Sequence, residues 1–197
     1  MCLLMAHQGA DRGYHDCHRI GEAMFDEEGL AADRRRQERS FNQELTEQMM
    51  RRAIELSRHG MRAGDGGPFG AVIAMGGRIV GEGWNRVVGA KDPTAHAEME
   101  AIRAAARSLG SFTLTGCDLY ASAQPCPMCL GATVMADIPH IIFAKHDQVV
   151  KSQLTLEHNP YVRRHIKTYY GGVLEDESTQ ILARYRPHDL KYLERGS

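Results

Sequence analysis

His96, Glu98, Cys126 and Cys129 are the residues of this chain whose types and spacing can do chemistry together. One imidazole and two thiols make the nitrogen-plus-sulfur set that zinc prefers. Only Pro127 and Met128 separate the two cysteines, so both sulfurs can reach one ion. Three protein ligands leave a tetrahedral zinc one open position, where a water can be activated. Glu98 follows His96 closely enough to face the same cavity, and a carboxylate there is suited to moving protons. Two other readings compete. A structural zinc usually has four protein ligands, and spacing offers three. A redox cysteine pair has no need of His96 or Glu98. The pattern therefore predicts a catalytic zinc site, with His96, Cys126 and Cys129 as ligands and Glu98 as the general acid–base.

Ligands so far apart in sequence must be brought together by the elements that carry them. Asp92-Pro93-Thr94 opens a helix predicted to run through Ala105, with His96 and Glu98 in its first turns. Pro125 and Pro127 bracket the start of a second helix, which carries Cys126 and Cys129 and continues to about Ala136. The positive end of each helix favours thiolate over thiol, which predicts lowered pKa values at both cysteines. Upstream, Leu45, Met49, Ala53 and Leu56 recur at helical spacing, and Gly60 with Gly64 to Gly67 is predicted to end that helix. Phe69 to Met75 and Arg78 to Trp84 read as a hairpin around Gly76-Gly77. Cys117 to Ser122, His140 to Ala144 and Ile166 to Leu174 read as three further strands, and Glu175 to Arg186 as a last helix broken by Pro187. This order predicts an α/β fold. Its form is a three-layer α/β/α sandwich around a mixed five-stranded sheet, mostly parallel after the hairpin.

Composition sets the bounds. The chain has 197 residues, 43% hydrophobic and 25% charged, which suits one domain with an extension. A net charge of −1 gives no global basic field for nucleic acid. The cysteine count is an odd five, two of them claimed by the metal, which fits a reducing cytoplasm better than a disulfide framework. Met1 to Ala6 is apolar but short and lacks a basic n-region, so no signal peptide is predicted, and no stretch approaches a membrane span. Residues 1–40 read as a poorly packed N-terminal extension, with little hydrophobic period and scattered glycines. Residues 41–197 read as the zinc-dependent domain. Their net charges are −2 and +1. His15-Asp16-Cys17-His18 can be read as a second metal site, but spacing places no fourth ligand, and a loose polar arm is the plainer reading. Arg34 to Arg36 have acidic neighbours on both sides, as a solvated helix face does.

The chain resembles the cytidine-deaminase-like superfamily from about Phe41 onward, weakly after Lys145. The matching residues are Pro93-Thr94-Ala95-His96-Ala97-Glu98, Pro125-Cys126-Pro127-Met128-Cys129, Gly67-Pro68-Phe69-Gly70-Ala71-Val72 and Gly81-Glu82-Gly83-Trp84-Asn85. The two metal motifs together match H-x-E…P-C-x-x-C, the signature of zinc nucleobase deaminases. The resemblance implies the same three-layer fold and hydrolytic deamination, with Glu98 carrying protons to a ring nitrogen and to the leaving ammonia. Backbone N–H groups near Ala97 and Cys126 are expected to hold developing charge. Asn85 is expected to hydrogen-bond the substrate ring, or else to cap the turn after the second strand. Phe69 either stacks on a base or packs in the core. Trp84 reads as packing.

For the substrate, the Gly67-Pro68-Phe69-Gly70 stretch is similar to guanine deaminases and implies a free purine such as guanine. Gly81 to Arg86 and Asp92 to Thr94 resemble tRNA adenosine deaminases, the second choice. For that choice, Arg163, Arg164 and Lys167 offer a small basic cluster. Arg186 to Asp189 resemble cytosine-acting relatives, the third. The chain departs from the pattern in three ways. Gln124 stands where many relatives carry Glu. Met135 stands where guanine deaminases often carry an aromatic. Residues 148–158 replace an acidic stretch that those enzymes use. The resemblance also implies a homodimer, and Leu130, Val134 and Met135 read as more apolar surface than one sheet face can cover; after Pro187 the tail either brings Asp189 or Tyr192 to the substrate opening of its own subunit or the neighbour's, or frays into solvent.

Overall fold

The computed structural model describes residues 43–146 and 159–184. Backbone contacts divide the chain into two units, Met1–Gln43 and Glu44–Ser197, and the fold below is that of the second. The expected extension, residues 148–158 and the tail with Asp189 and Tyr192 lie outside the described residues.

Ten elements follow one another: α1 (Gln43–Ala63), β1 (Gly70–Met75), β2 (Arg78–Trp84), α2 (Ala97–Leu109), β3 (Cys117–Ala123), α3 (Pro127–Met135), β4 (His140–Lys145), α4 (Pro160–His165), β5 (Thr168–Tyr170) and α5 (Glu175–Arg184). The strands form one sheet in the order β2-β1-β3-β4-β5. β1 pairs antiparallel with both β2 and β3, while β3, β4 and β5 run parallel. The expected five-stranded mixed sheet is present; the His96 motif follows antiparallel β2, and the cysteine motif follows β3, where the parallel half begins.

α1 buries Met49, Ala53 and Leu56 of the expected stripe, with Met50 and Ile54 beside them, while Leu45 is half-buried. It packs on one sheet face, where Gly70 lies against the α1 backbone at Ala53 and Ser57. Gly60 does not end this helix. The Trp84 ring occupies the space that a side chain at position 60 would fill, and the helix runs on to Ala63. On the opposite face, Gly81 and Gly83 of β2 meet the α2 backbone at Ala101 and Ala97. Ala97, Ala101 and Ala105 form a small-residue stripe that lets the helix come down onto those glycines. This close approach sets the height of the α2 N-terminus above the sheet. Ala71, Ile73, Leu119, Ala121, Leu130, Ile141 and Phe143 complete the core on that face.

Two expectations need correction, and one element is an addition. α3 has no surplus apolar face, because Leu130 and Val134 are buried in the chain's own core and only Met135, 74% exposed, is free. β5 is three residues long rather than nine. Residues 160–165, for which no element was expected, form helix α4, with the Asn159 side chain accepting from Tyr161 N and Val162 N and with Pro160 in the first turn. Ile166 ends that helix, and beyond Tyr170 the chain passes Gly172, at φ 93°, and turns at Val173 and Leu174 before α5.

Candidate active site

His96 and Cys126 are not inside their helices but at the N-cap of α2 and α3. Both have extended backbone, and neither side chain makes a capping bond. Ser, Thr, Asp or Asn would ordinarily occupy such positions and satisfy an orphan N–H, a bond that contributes typically about 1 kcal/mol. Here the two positions carry metal-type donors aimed elsewhere. Cys129 lies one turn into α3 and is fully buried.

The three donors form a nearly equilateral triangle. Cys126 Sγ to His96 Nδ1, Cys129 Sγ to His96 Nδ1 and Cys126 Sγ to Cys129 Sγ are each 3.6 Å. Tetrahedral bonds of about 2.3 Å to sulfur and about 2.0–2.1 Å to nitrogen place such donors about 3.5–3.8 Å apart. The triangle therefore fits a zinc ion without rearrangement, and its donor set is zinc's own. Among the described residues it is the one cluster of this kind.

Electrostatics separate the two thiols. Cys126 is lowered to about 4, first by its hydrogen bond with Cys129 and then by the His96 ring, against the opposing effect of burial. Cys129 is pushed up by the same pairing with Cys126 and by burial. The expected lowering of both thiols is met in direction at Cys126 alone, where Cys129 and His96 supply it, because a second buried negative charge so close to the first is disfavoured. His96 is raised, chiefly by its contact with Cys126.

Glu98 is 8% exposed and stands outside the ligand triangle. Burial raises its carboxyl above the usual range, and the neighbouring Cys126 charge adds to this. Its own backbone N–H, His96 and a hydrogen bond with Cys129 act the other way. A raised carboxyl can hold a proton and release it again, which is what a shuttle between water and a leaving amine must do.

Ala97 is buried as the first residue of α2, so its N–H has no partner within the helix. Asn85 is 5% exposed just beyond β2, and its Oδ1 accepts from Gly67 N and Val87 N, both at 3.3 Å. The capping and substrate readings of Asn85 meet here: the oxygen holds the turn, and the amide N–H groups have no partner among the described residues. Phe69 is half-buried against the core on the α2 face, and its carbonyl accepts from Asn85 N at 2.9 Å. Both readings of Phe69 likewise fit one half-open ring.

Tyr169 escaped the sequence reading. Gln124 Nε2 donates to its hydroxyl at 3.1 Å. Burial pushes that hydroxyl's pKa up, and the Glu98 charge adds to the shift. So the Gln124 departure is matched by a partner on β5, a long-range pairing with no local signal. Arg163 and Lys167 line a cavity of about 230 Å³ with Val162, Ile166 and Tyr169. Lys167 Nζ also donates to the Arg164 carbonyl at 3.0 Å, across the end of α4.

With this geometry in place, comparison with known proteins is decisive. The cytidine and deoxycytidylate deaminase zinc-binding region matches residues 43–145, the stretch that contains all three candidate ligands and Glu98. The chain belongs to this deaminase family. Members of the family are zinc-dependent hydrolytic deaminases, and this chain carries the family's zinc-binding region. Guanine deaminase of Bacillus subtilis is 50% identical over 98 residues, which span 50% of this chain and 63% of the Bacillus protein's length. tRNA-specific adenosine deaminase of Haemophilus influenzae is 35% identical over 145 residues, covering 72% of this chain and 83% of the relative. The solved guanine deaminase of Nitrosomonas europaea superposes with a TM-score of 0.61 at 29% identity, over 71% of this chain and 83% of that one. No helix among the described residues is long and apolar enough to cross a membrane.

Proposed function

We propose that the protein is a zinc-dependent hydrolytic deaminase of a free purine base, guanine or a near relative, that releases ammonia. The observation that carries the reading is a buried carboxylate, Glu98, beside a donor triangle sized for zinc. His96, Cys126 and Cys129 would hold the ion, which supplies a Lewis acid that makes a water nucleophilic near neutral pH. Glu98 takes the proton that the water loses and delivers it to a ring nitrogen. It then carries a second proton to the departing amine, so that water is added and ammonia leaves. The N–H of Ala97, at the positive end of α2, faces charge that develops on the base. Pro127 has no N–H, so α3 offers such donors only from Met128 onward. Asn85 donates to an acceptor on the base, and Phe69 presents ring surface to it.

The choice of guanine rests on the 50% identity to the Bacillus guanine deaminase. Adenosine in tRNA is the second reading, supported by the longer coverage of the Haemophilus relative. Ammonia release from guanine, adenine, cytosine, their nucleosides and a tRNA anticodon stem-loop tests the choice. Guanine is expected to give the highest kcat/KM; a tRNA stem-loop that exceeds it replaces the first reading with the second.

The same reading makes residues 1–40 an extension to a catalytic domain at 41–197, in a cytoplasmic homodimer. Phe112 and Met135, 87% and 74% exposed, supply apolar surface at one place, since Leu114 N bonds Ala136 O between their segments. Light scattering that returns a monomer mass would remove the dimer.

A further inference from the structure

Asp65 is a junction of three segments near the proposed substrate contacts. Its N–H donates to the Gly60 carbonyl at 3.1 Å, which ties it to the last turn of α1. Its own carbonyl accepts from Val88 N at 3.0 Å and Gly89 N at 2.9 Å, in the loop that follows Asn85. Its carboxylate accepts from Trp84 Nε1 at 2.7 Å. An N–H bond to a carboxylate is roughly twice as strong as one between neutral groups. Trp84 is held from its other side as well. Its ring packs against Gly60 and meets His59 edge-on, with centroids 4.7 Å apart.

Asn85 comes directly after Trp84. Its side-chain oxygen spans the same two segments through Gly67 N and Val87 N, bonds at the long end of the range. The Asn85 backbone is tied separately, its N–H donating to the Phe69 carbonyl at 2.9 Å, so the side-chain amide is the more loosely held part of a group that must be placed to roughly half an ångström. The short Asp65–Trp84 bond is the stiffer link in the same lattice.

We propose that Asp65 and Trp84 form a latch that orients Asn85 toward the substrate, which makes Asp65 a positioning residue. This rests on the reading of Asn85 as a substrate contact. Asp65 touches neither the base nor the ligand triangle in this scheme. It acts on how tightly the base is held and leaves proton transfer to Glu98.

Trp84 is the single tryptophan of the chain, so its fluorescence reports on the latch directly. The test uses the zinc-loaded full chain in a Glu98→Gln background, where guanine binds without being consumed and its titration is followed by Trp84 emission. If another compound leads the ammonia panel, that compound takes guanine's place. Asp65→Ala is expected to weaken binding about tenfold, and Asp65→Asn, which keeps an oxygen for Trp84 Nε1–H, to stay within about threefold of the parent. Zinc content should be equal in all three. In the active enzyme, Asp65→Ala should raise KM by the same factor and leave kcat within about threefold. Trp84→Phe breaks the same bond from the other side and is read by KM, and the double variant should be no worse than either single one. Equal losses in Asp65→Ala and Asp65→Asn would show a merely structural role and overturn the latch. So would parent-like affinity in Asp65→Ala while Asn85→Ala binds weakly, an outcome that leaves the substrate reading standing. Parent-like affinity in Asn85→Ala removes that reading, and the latch with it.

Discussion

The candidate metal corner and the proposed substrate rim of this domain are built in different ways. At the corner, two helix N-termini converge and hand over side chains: His96 caps α2, Cys126 caps α3, and Cys129 follows one turn later. At the rim, Gly67, Phe69, Asn85 and Val87 are joined mostly through backbone groups, between two loops that enter and leave the β1–β2 hairpin. The corner depends on residue identity, since only certain atoms bind zinc. The rim depends on conformation as well as identity: backbone groups join Gly67 to Phe69 and Phe69 to Asn85, and the Asn85 side-chain oxygen supplies the other two bonds. One consequence is that chemistry and specificity reside in separate structures. On the proposed reading, a rim can be reshaped for another base while the corner stays the same, and a guanine deaminase and a tRNA adenosine deaminase both match this chain.

That division can be broken or sharpened by substitution. The largest effect should come from Cys126→Ala. Zinc affinity is expected to fall by more than about 100-fold, beyond the 10–100-fold typical of losing a supporting partner of a ligand. Elemental analysis after dialysis reads it, and full occupancy in the variant would refute the ligand assignment.

Gly83→Ala tests the seam between the two regions. Gly83 belongs to β2, two residues before Asn85, and faces the α2 backbone at Ala97, next to His96. A methyl group there must push the helix off the sheet, at a cost of about 1–3 kcal/mol. Denaturant unfolding should show that loss together with weaker zinc retention. A stable, zinc-retaining variant would mean that the α2 N-terminus is not set by this contact.

A smaller effect is expected far from either region in the sheet register. Asp118 lies at the start of β3, and burial raises its carboxyl while His140 partly offsets the shift. A raised acid contributes stability that is complete below the ordinary Asp range and is lost as pH rises through the folded value. Asp118→Asn, a neutral mimic, should therefore have a slightly higher Tm than the parent near about pH 7, with the gap closing below about pH 4. A Tm difference that does not vary with pH would contradict the assignment. The smallest effect is predicted for deletion of residues 1–30, whose composition lacks a hydrophobic period. Tm and zinc content should stay unchanged, and a marked drop in Tm would show that this segment supports the domain.

The corner was legible in the sequence because its information is local. His96, Glu98, Cys126 and Cys129 announce themselves by type and spacing, and the strands from Arg78 to Trp84 and from His140 follow plain β patterns. What escaped is what depends on a distant partner. Gly60 reads as a helix end until the Trp84 ring is seen to fill its place. Tyr169 gains its importance only when Gln124 reaches it across the sheet. The second thiol's behaviour follows from a sulfur–sulfur distance that spacing does not give. Helix α4 is a different case, since Asn159-Pro160 is a start signal that the sequence does contain.

The central claim is that Glu98 moves protons beside a zinc that it does not ligate. Glu98→Gln tests it most directly, with zinc content and turnover of the best substrate measured on the same preparation. The account predicts about one zinc per chain, as in the parent, and a kcat lower by at least about 10²–10⁴-fold, the usual contribution of general acid–base groups. A kcat like the parent's at full zinc occupancy would contradict it, and so would loss of the metal along with the activity.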